Sequence, residues 1–427
     1  MSLLDELAQR HLLADVTDRA GLAELLGEQV VTLYAGYDPT SPSLHVGNLV
    51  PTILLKRFQL AGHRPIVVVG GATGMVGDPS GKSDERNLLD DATLATNVAG
   101  IRGQLARLLD FDDPKTGALM TNNADWTRGV TFLEFLRDTG KYLTINYMMA
   151  KDSVKNRLEG DSGISYTEFS YMLLQAFDFV ALARQHDCRL QVGGSDQYGN
   201  ITAGCELGRK IGLGHQLFGL TAPLLLDSTG QKMGKTSTGE RIWLDPERTS
   251  PYAFYQYWFN RPDEDAPRLL RLFSLRPLGE LDAVIAQHDA DRSKRHAQRE
   301  LARAMTAWVH GEAAIAEVEA AARKLFDGEL AGVSEEVLLS LTSAVPTTEI
   351  PRAELVTGVN IIELLVRCGV AESKGKARRL VTDGGAYLND VKIAAVERTV
   401  TVADLATATM LILRSGKKTY RLVRVVS

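Results

Sequence analysis

Two short segments, one near residue 40 and one near residue 234, combine residue types that could bind phosphate groups. The first reads Tyr34-Ala-Gly-Tyr-Asp38-Pro-Thr40 and continues to His45-Val-Gly47-Asn48. It leads into a predicted helix, whose first N–H groups and dipole favour anions. The second reads Lys232-Met-Gly-Lys235-Thr236, and two lysines three residues apart suit phosphate binding. Taken singly, an ordinary turn before a capped helix and a lysine-bearing surface loop remain alternatives.

A glycine-rich loop, 70–82, follows a run of buried-strand character and ends in Gly81-Lys82-Ser83. It does not match a P-loop, because the Walker pattern needs a glycine at position 76, where the chain has Val76. The polar residues in and after the loop are therefore candidates for a different kind of site. These candidates are Asp78, Lys82 and Arg86.

A long apolar stretch, 167–186, carries Tyr171, Gln175 and Asp178 at spacings of four and three residues. In a helix these three side chains lie on one face. This face is either exposed to solvent or lines a pocket. In a pocket, Asp178 would accept a hydrogen bond from a phenol, and Tyr34 would be the second residue that contacts the phenol. A later segment, 190–200, places Ser195 as the predicted cap of a helix beside Gln191, Asp196 and Gln197.

Alternating strands and helices must position these residues. The pattern predicts strands at 30–34, 65–70, 118–122 and 189–193, with helices at 48–61, 131–138 and 195–211 between or after them. Such alternation is typical of an α/β fold with a parallel sheet, in which ligands bind at the carboxyl ends of the strands. After residue 246 we expect helices at 251–259, 265–273, 291–309 and 312–326, then a Pro- and Thr-containing linker at 342–358.

The two lysine- and histidine-containing motifs together resemble the H-x-G-H and K-M-S-K-S motifs of class I aminoacyl-tRNA synthetases. The loop 70–82 and the stripe on 167–186 are similar to the substrate loop and substrate helix of bacterial-type tyrosyl-tRNA synthetases. The chain departs from the family pattern at four positions, where Asn48 replaces a histidine, Gly234 and Thr236 replace serines, and Tyr198 stands where tryptophan is common.

The end of the chain has its own signature. Residues 351–427 carry 13 lysines and arginines against seven acidic residues, although the whole chain has a net charge of −5. Within 360–389, Ser373 should cap a short helix bearing Lys374, Lys376, Arg378 and Arg379. This segment resembles the α-L type RNA-binding module, and its basic residues suit phosphate contacts. A merely solvated basic helix is the alternative.

The resemblance implies roles for individual residues. It assigns Thr40, His45, Lys82, Arg86, Lys232, Lys235 and Thr236 to the phosphates and catalysis; Asp38 and Gln197 to the carboxylate and α-phosphate; Gly47, Asn48 and Asp196 to the nucleoside; Asp78, Tyr171 and Gln175 to the tyrosine amino group; Tyr34 and Asp178 to the phenol; and Gln191 to the tyrosine pocket. No side-chain nucleophile is needed, because catalysis depends on positioning and on stabilising charge.

The expected architecture is α/β: a Rossmann-like catalytic domain over 1–245, an α-helical domain over 246–341, the linker, and a small α+β RNA-binding module over 359–427. The resemblance implies L-tyrosine and ATP as substrates, Mg²⁺ accompanying ATP without a tightly protein-bound metal, tRNA(Tyr) as partner, and a homodimer. Three cysteines without paired spacing favour a cytoplasmic protein, and the lack of a long apolar run argues against a membrane span. With tRNA as the expected nucleic-acid partner, we expect no DNA binding.

Two other functions fit parts of the pattern. A tryptophan-specific relative would share the fold, although Tyr34 and Asp178 favour a phenol over an indole. A non-catalytic or dual-role protein that binds structured RNA on a synthetase scaffold would need the basic module but not both lysines of 232–236.

Overall fold

The computed structural model describes residues 1–80, 90–159, 163–235, 239–327, 330, 333, 335–342, 345–416 and 419–426. These residues form two compact units. The first comprises Met1–Asp245 and Arg261–Ala304, and the second comprises Pro246–Asn260 and Met305–Ser427.

The strands, numbered in chain order, are β1 Asp15–Val16, β2 Thr32–Tyr37, β3 Arg64–Val69, β4 Leu119–Asn122, β5 Cys188–Gly194, β6 Phe218–Ala222, β7 Thr347–Pro351, β8 Val359–Asn360, β9 Ala386–Leu388, β10 Val391–Lys392, β11 Thr399–Val400, β12 Met410–Ser415 and β13 Thr419–Val426. The helices are α1 Leu3–Gln9, α2 Arg19–Glu28, α3 Leu49–Leu60, α4 Asp91–Leu108, α5 Ala124–Thr127, α6 Phe132–Asp138, α7 Ile145–Met149, α8 Asp152–Leu158, α9 Tyr166–His186, α10 Tyr198–Lys210, α11 Pro251–Phe259, α12 Ala266–Phe273, α13 Leu278–Ala290, α14 His296–His310, α15 Glu312–Asp327, α16 Glu335–Leu341, α17 Arg352–Thr357, α18 Ile361–Arg367 and α19 Lys374–Thr382.

The first unit is built on a six-stranded sheet in the order β1-β6-β5-β2-β3-β4. Strands β2 to β6 are parallel, and the two-residue β1 pairs antiparallel with β6 at the edge. The chain therefore moves to one side of β2 through β3 and β4, and to the other side through β5 and β6. In such a sheet, ligands bind at the carboxyl ends of the strands where the order reverses, here between β2 and β5.

The predicted strands and helices around this reversal are confirmed to within a few residues. Strand β3 was predicted from its apolar run, and residues 65–69 are buried, as expected for a central parallel strand. Helix α9 begins after Ser165, whose side chain accepts a hydrogen bond from the Glu168 N–H, and ends at Asp187 in a left-handed conformation. Strand β6 and helices α4 and α13 were not predicted.

The prediction that Ser195 caps a helix was wrong. Residues Ser195–Gln197 form a single 3₁₀ turn, and Gly194, at the capping position, has no side chain that could accept a hydrogen bond. The α-helix α10 starts only at Tyr198, and Gln197 before it makes no side-chain capping bond. Asp196 and Gln197 on this turn line the cleft described below.

The second unit contains helices α11, α15 and α16 and a five-stranded sheet in the order β10-β9-β12-β13-β7. The segment 342–358, predicted as a linker, contains β7 and α17. Strand β7 pairs in parallel with β13 at the edge of the sheet, and Ile350 is fully buried in the core of this sheet. Pro351 is tolerated because an edge strand needs fewer N–H donors.

Helix α19 matches its prediction. Ser373 occupies the capping position, and its side chain accepts a hydrogen bond from the Lys376 N–H. Ala377 and Val381 face the core, whereas Arg378 and Arg379 are exposed. Among the described parts of the chain, no helix has the length and apolar composition needed to cross a membrane.

Candidate active site

A cleft of about 400 Å³ opens at the carboxyl ends of β2 and β5, where the strand order reverses. It brings together most of the site residues predicted from the sequence. Those that line it are Tyr34, Asp38, Thr40, His45, Gly47, Asn48, Asp78, Tyr171, Gln175, Asp178, Gln191, Asp196, Gln197 and Lys232. Lys235 is exposed and does not line the cleft, and Lys82, Arg86 and Thr236 lie outside the described residues.

One end of the cleft is closed around the Asp178 carboxylate, which is 4% exposed. Its Oδ1 accepts a hydrogen bond of 2.8 Å from the Trp126 indole N–H, and its Oδ2 accepts one of 3.0 Å from the Asn123 amide. Burial raises the pKa of Asp178 to about 7, although the two hydrogen bonds favour the ionised form. The carboxylate still has lone pairs with which to accept a further hydrogen bond.

Two buried polar atoms at this end have no protein partner. The Tyr34 hydroxyl and the Gln191 Oε1 make no hydrogen bond within the described residues, yet both side chains are at most 2% exposed. Burial raises the pKa of Tyr34 well above its usual value, with the Asp178 charge adding to this, so the phenol stays neutral. Because unpartnered buried polar groups are costly, they mark the place where a polar ligand atom would be stabilising.

Asn123 and Trp126 were missed from the sequence. Asn123 directly follows strand β4, and its amide also donates to Thr73 Oγ1 at 2.9 Å and accepts from the Ala72 N–H at 2.8 Å. Asn123 thus links the glycine-rich loop to Asp178. The available signal was position, since polar residues after a parallel strand point to the ligand edge of the sheet.

Beside the closed end, a chain of side-chain amides leads outwards. Gln197 donates to Asp78 Oδ2 at 2.7 Å and accepts from Gln175 at 3.3 Å. Asn200 donates to Gln175 at 3.1 Å and so continues the chain. This network holds the Asp78 carboxylate in the cleft, where it can pair with a ligand cation.

On the opposite wall, the Tyr171 hydroxyl donates to Asp38 Oδ1 at 3.2 Å. Asp196, on the 3₁₀ turn after β5, is partly buried beside Gly194. Burial and the nearby Asp78 charge raise the pKa of Asp196, and Lys232 opposes that shift. Both carboxylates can accept hydrogen bonds from hydroxyl or amino groups.

The motif that starts at His45 forms a capped turn before helix α3. His45 Nδ1 accepts from the Gly47 N–H at 3.0 Å, and the Asn48 side chain accepts from the His45 N–H at 3.0 Å. The His45 proton therefore resides on Nε2. Burial, with a contribution from Arg241, lowers the pKa of His45 to about 4, so the ring is neutral near pH 7. Asn48 thus replaces the family histidine with a residue that fixes His45.

A short antiparallel ladder joins segment 44–46 to segment 242–244. The Val46 N–H donates to the Ile242 carbonyl at 3.0 Å, and the Leu244 N–H donates to the Leu44 carbonyl at 2.9 Å. The ladder brings the lysine motif to the histidine motif, which lies about 190 residues earlier in the chain.

Gly234 shows how close the two motifs come. A methyl group built on it would lie 3.7 Å from the Gly47 nitrogen, and its φ of +114° disfavours any residue with a side chain. The replacement of the family serine by glycine therefore suits the backbone conformation of this loop.

Helix α4 supports the same ladder through Gln104. Its Oε1 accepts from the Leu44 N–H at 2.8 Å, and its Nε2 donates to Ser43 Oγ at 3.0 Å. The Ser43 hydroxyl in turn accepts from the Asp245 N–H at 3.2 Å. Gln104 and Ser43 are both buried, so they tie one end of the ladder to the body of the first unit.

Exposed cations surround the mouth of the cleft. Lys232 and Arg241 line it, and both are exposed. Within the described ranges, no group of three or more His, Cys, Asp or Glu residues could hold a metal ion.

In the second unit, the four predicted RNA-binding residues differ in their surroundings. Lys374 forms an ion pair with Glu363 at 3.7 Å, and Lys376 pairs with Glu372. Arg378 and Arg379 have no ion-pair partner among the residues that the structure describes.

Comparison with known proteins identifies relatives of the whole chain. Residues 27–327 match the family model described as tRNA synthetases class I (W and Y), and residues 338–423 match the tyrosine–tRNA ligase SYY-like C-terminal domain. The tyrosine–tRNA ligase of Opitutus terrae is 49% identical over 427 residues, covering 100% of both chains. That of Rhodopirellula baltica is 49% identical over 425 residues, covering 99% of this chain and 96% of the relative.

A solved structure supports the same fold. A C-terminally truncated mitochondrial tyrosyl-tRNA synthetase from Aspergillus nidulans superposes with a TM-score of 0.69 at 34% identity. The match covers 76% of this chain and 94% of the fungal one.

Proposed function

Because the chain belongs to the class I aminoacyl-tRNA synthetases, in the tyrosine–tRNA ligase family, we propose that the cleft described above activates tyrosine with ATP. In the first step, the tyrosine carboxylate attacks the α-phosphate of ATP, which yields tyrosyl-adenylate and releases pyrophosphate. In the second step, a ribose hydroxyl at the 3′ end of tRNA(Tyr) attacks the acyl carbon, which yields tyrosyl-tRNA and releases AMP.

The observation that carries the choice of tyrosine is the closed end of the cleft. The unpartnered Tyr34 hydroxyl and the Asp178 carboxylate are both buried there. A substrate phenol can donate to Asp178 and accept from Tyr34. Phenylalanine would leave the buried Tyr34 hydroxyl unpaired and would offer Asp178 no third donor beside Trp126 and Asn123, which strongly disfavours it; tyrosine-specific synthetases are themselves the reference case for this effect.

The remaining substrate groups fit the neighbouring walls. The tyrosine ammonium group would pair with Asp78, and Tyr171 and Gln175 would accept its other hydrogens. Asp78 is held by the Gln197 amide, which leaves the carboxylate correctly oriented before substrate arrives. Gln197, Gln191 and Asp38 would hold the region where the carboxylate meets the α-phosphate. Preorganised polar groups of this kind lower the barrier without any covalent step.

For ATP, we assign the nucleoside to Gly47, Asn48 and Asp196. The phosphates are assigned to Thr40, His45, Lys232 and Lys235. Neutral His45 would donate from Nε2 to a phosphate oxygen, because its Nδ1 is occupied by the Gly47 N–H. Lys82, Arg86 and Thr236 remain predictions for the same phosphates. Mg²⁺ would arrive with ATP and be held mainly by the phosphates.

Transfer to tRNA requires an RNA-binding surface, and we assign it in part to helix α19. Its exposed Arg378 and Arg379 have no acidic partner among the described residues, whereas Lys374 and Lys376 are paired with glutamates. We therefore expect Arg378→Ala/Arg379→Ala to weaken tRNA charging more than the matched Lys374→Ala/Lys376→Ala variant. The rate of tyrosine-dependent ATP–pyrophosphate exchange should be unchanged in both double variants. If both variants charge tRNA equally well, the arginines are not part of the RNA-binding surface.

We also propose a homodimer. Large apolar side chains are exposed on helices α6, α7 and α8 and at the first residue of α9, where a partner chain would cover them. They are Phe132, Leu133, Ile145, Met149, Leu158 and Tyr166. Sedimentation at micromolar concentration should give twice the chain mass, and a monomer would contradict the assignment. A cytoplasmic location is proposed as well, since Cys188, Cys205 and Cys368 are free thiols.

The test of the activity is ATP–pyrophosphate exchange with tyrosine, phenylalanine and tryptophan in parallel. Exchange with tyrosine alone is expected. Exchange with tryptophan would keep the class and overturn the substrate, and absence of exchange with all three would favour a synthetase-like RNA-binding protein. The family membership does not favour that alternative.

A further inference from the structure

The second lysine of the lysine motif lies opposite another cation. Lys235 and Arg241 are directly opposed in an antiparallel bridge. Side chains of directly opposed residues in such a pair project to the same face and lie close together. Two like charges in this arrangement repel each other, so an anion bound between them would be stabilising.

The protein does not supply that anion within the residues that the structure describes. Neither Lys235 nor Arg241 has a carboxylate within ion-pair distance there, and both side chains are exposed. By contrast, the exposed arginines Arg209 and Arg276 and the half-buried Arg271 each pair with a nearby glutamate or aspartate. The guanidinium carbon of Arg241 instead lies 5.7 Å from the centroid of the Trp243 ring. This contact orients the guanidinium without neutralising its charge.

Arg241 also faces the site at which ATP phosphates are assigned. It lines the same cleft as His45, Gly47 and Lys232. Its charge contributes to lowering the pKa of His45, which places the guanidinium near that imidazole. The Trp243 ring on which it rests contacts His45 edge to face, with ring centroids 6.2 Å apart.

We propose that Arg241 is a phosphate-binding residue that shares the departing β,γ-phosphates of ATP with Lys235. The inference rests on the proposed ATP-dependent activity and extends it to a residue outside the lysine motif. A guanidinium presents paired N–H donors that match two oxygens of one phosphate, whereas lysine acts as a point charge. The like-charge pair is therefore balanced when pyrophosphate lies between its two members.

The first experiment compares Arg241→Ala, Arg241→Lys and wild type in tyrosine-dependent ATP–pyrophosphate exchange. Removing one charge-assisted contact should lower kcat/KM for ATP by roughly 10- to 100-fold and weaken pyrophosphate in the reverse reaction similarly. The KM for tyrosine and inhibition by AMP, which lacks these phosphates, should change less than about twofold, because neither ligand occupies that position. The kcat/KM for ATP of Arg241→Lys should lie between the values of Arg241→Ala and the wild type.

Arg102→Ala is the matched control, because Arg102 is an exposed arginine of helix α4 that does not line the cleft. The proposal is overturned if Arg241→Ala leaves kcat/KM for ATP within about twofold of wild type. It is also overturned if Arg241→Ala weakens AMP as much as pyrophosphate, or if Arg102→Ala has the same effect. Absence of exchange in the wild type would instead contradict the proposed function.

A double-mutant cycle tests the sharing. If one phosphate group bridges both cations, Lys235→Ala/Arg241→Ala should lose less than the product of the two single losses. Multiplicative losses would show that the two residues act on separate groups, which overturns the shared assignment. Thermal unfolding without ligand should be unchanged or slightly raised in Arg241→Ala, since like-charge repulsion is removed. A large fall would show instead that Arg241 supports the fold.

Discussion

The closed end of the cleft and its mouth are built on opposite principles. At the closed end, Asp178 is buried and already accepts hydrogen bonds from Trp126 and Asn123. At the mouth, Lys232, Lys235 and Arg241 are exposed, and ion pairs do not hold them within the described ranges. The closed end is organised without a ligand, whereas we propose that a bound anion balances the charge at the mouth.

In the proposed function, the closed end recognises a phenol and the mouth recognises a polyphosphate, and the difference suits those two ligands. A neutral phenol differs from a phenyl group by one hydroxyl, so discrimination requires buried groups that are costly to leave unpaired. A polyphosphate carries several negative charges, so exposed cations suffice to attract it. The strength of this attraction decreases as the salt concentration rises. The two ends should therefore respond differently to mutation and to pH.

The largest expected effect is at Asp178. Asp178→Ala should reduce kcat/KM for tyrosine by at least about 100-fold, because the phenol loses its charged acceptor and two buried donors lose their partner. Arg184→Ala, an exposed change on the same helix, is the control. Near-normal tyrosine exchange in Asp178→Ala would mean that the closed end does not select the substrate.

Lys235→Ala should act on the other substrate. We expect a loss of about 100-fold in adenylate formation, measured in single turnovers, with tyrosine affinity nearly unchanged. A parallel loss of tyrosine affinity would show that the loop supports the fold of the whole cleft and would weaken the contrast between its two ends.

Trp126→Phe tests whether the buried support of Asp178 matters as much as the carboxylate. Loss of the indole donor at 2.8 Å should lower kcat/KM for tyrosine by roughly 10- to 50-fold and leave the KM for ATP unchanged. It should also raise the pKa of Asp178 further, because the hydrogen bond stabilises the ionised form. An unchanged pH profile in this variant would exclude that coupling.

The pH dependence should differ between the ends. With a pKa of about 7, Asp178 loses its charge as the pH falls, so kcat/KM for tyrosine should be about tenfold lower at pH 6 than at its plateau. His45, with a pKa of about 4, remains neutral over the same range. The folding stability should change in the opposite direction to the activity. Because the pKa of Asp178 is higher in the folded than in the unfolded chain, its contribution to stability falls as the pH rises from about 4 to 7.

The smallest expected effect is at Gln104. Gln104→Ala removes hydrogen bonds to Leu44 and Ser43 and should lower the adenylation rate about three- to tenfold without changing tyrosine affinity. Asn97 also lies on α4, and Asn97→Ala, which removes a buried hydrogen bond to the Pro39 carbonyl, is a matched comparison. If Gln104→Ala changed only the KM for tyrosine, α4 would support the closed end of the cleft and not its mouth, which would contradict the assignment.

Much of the fold and of the site could be predicted from local pattern. The alternation of apolar strands and helices predicted the parallel sheet, and the spacing of Tyr171, Gln175 and Asp178 predicted a polar face that the structure places in the cleft. Segment 342–358 was less predictable. Its prolines and threonines favour a linker, but pairing of β7 with β13, about 75 residues away, decides its structure.

The sequence by itself determined most of the candidate residues that line the cleft and the kind of element on which each one lies, because helical and strand periodicities are local properties. Only the tertiary structure decided their partners. Asn123 and Trp126 reach Asp178 across more than 50 residues, and the 44–46 segment pairs with 242–244 across about 200. Such contacts depend on chain crossings that no short pattern encodes, and for the same reason the pairing of Lys235 with Arg241 became visible only in the folded chain.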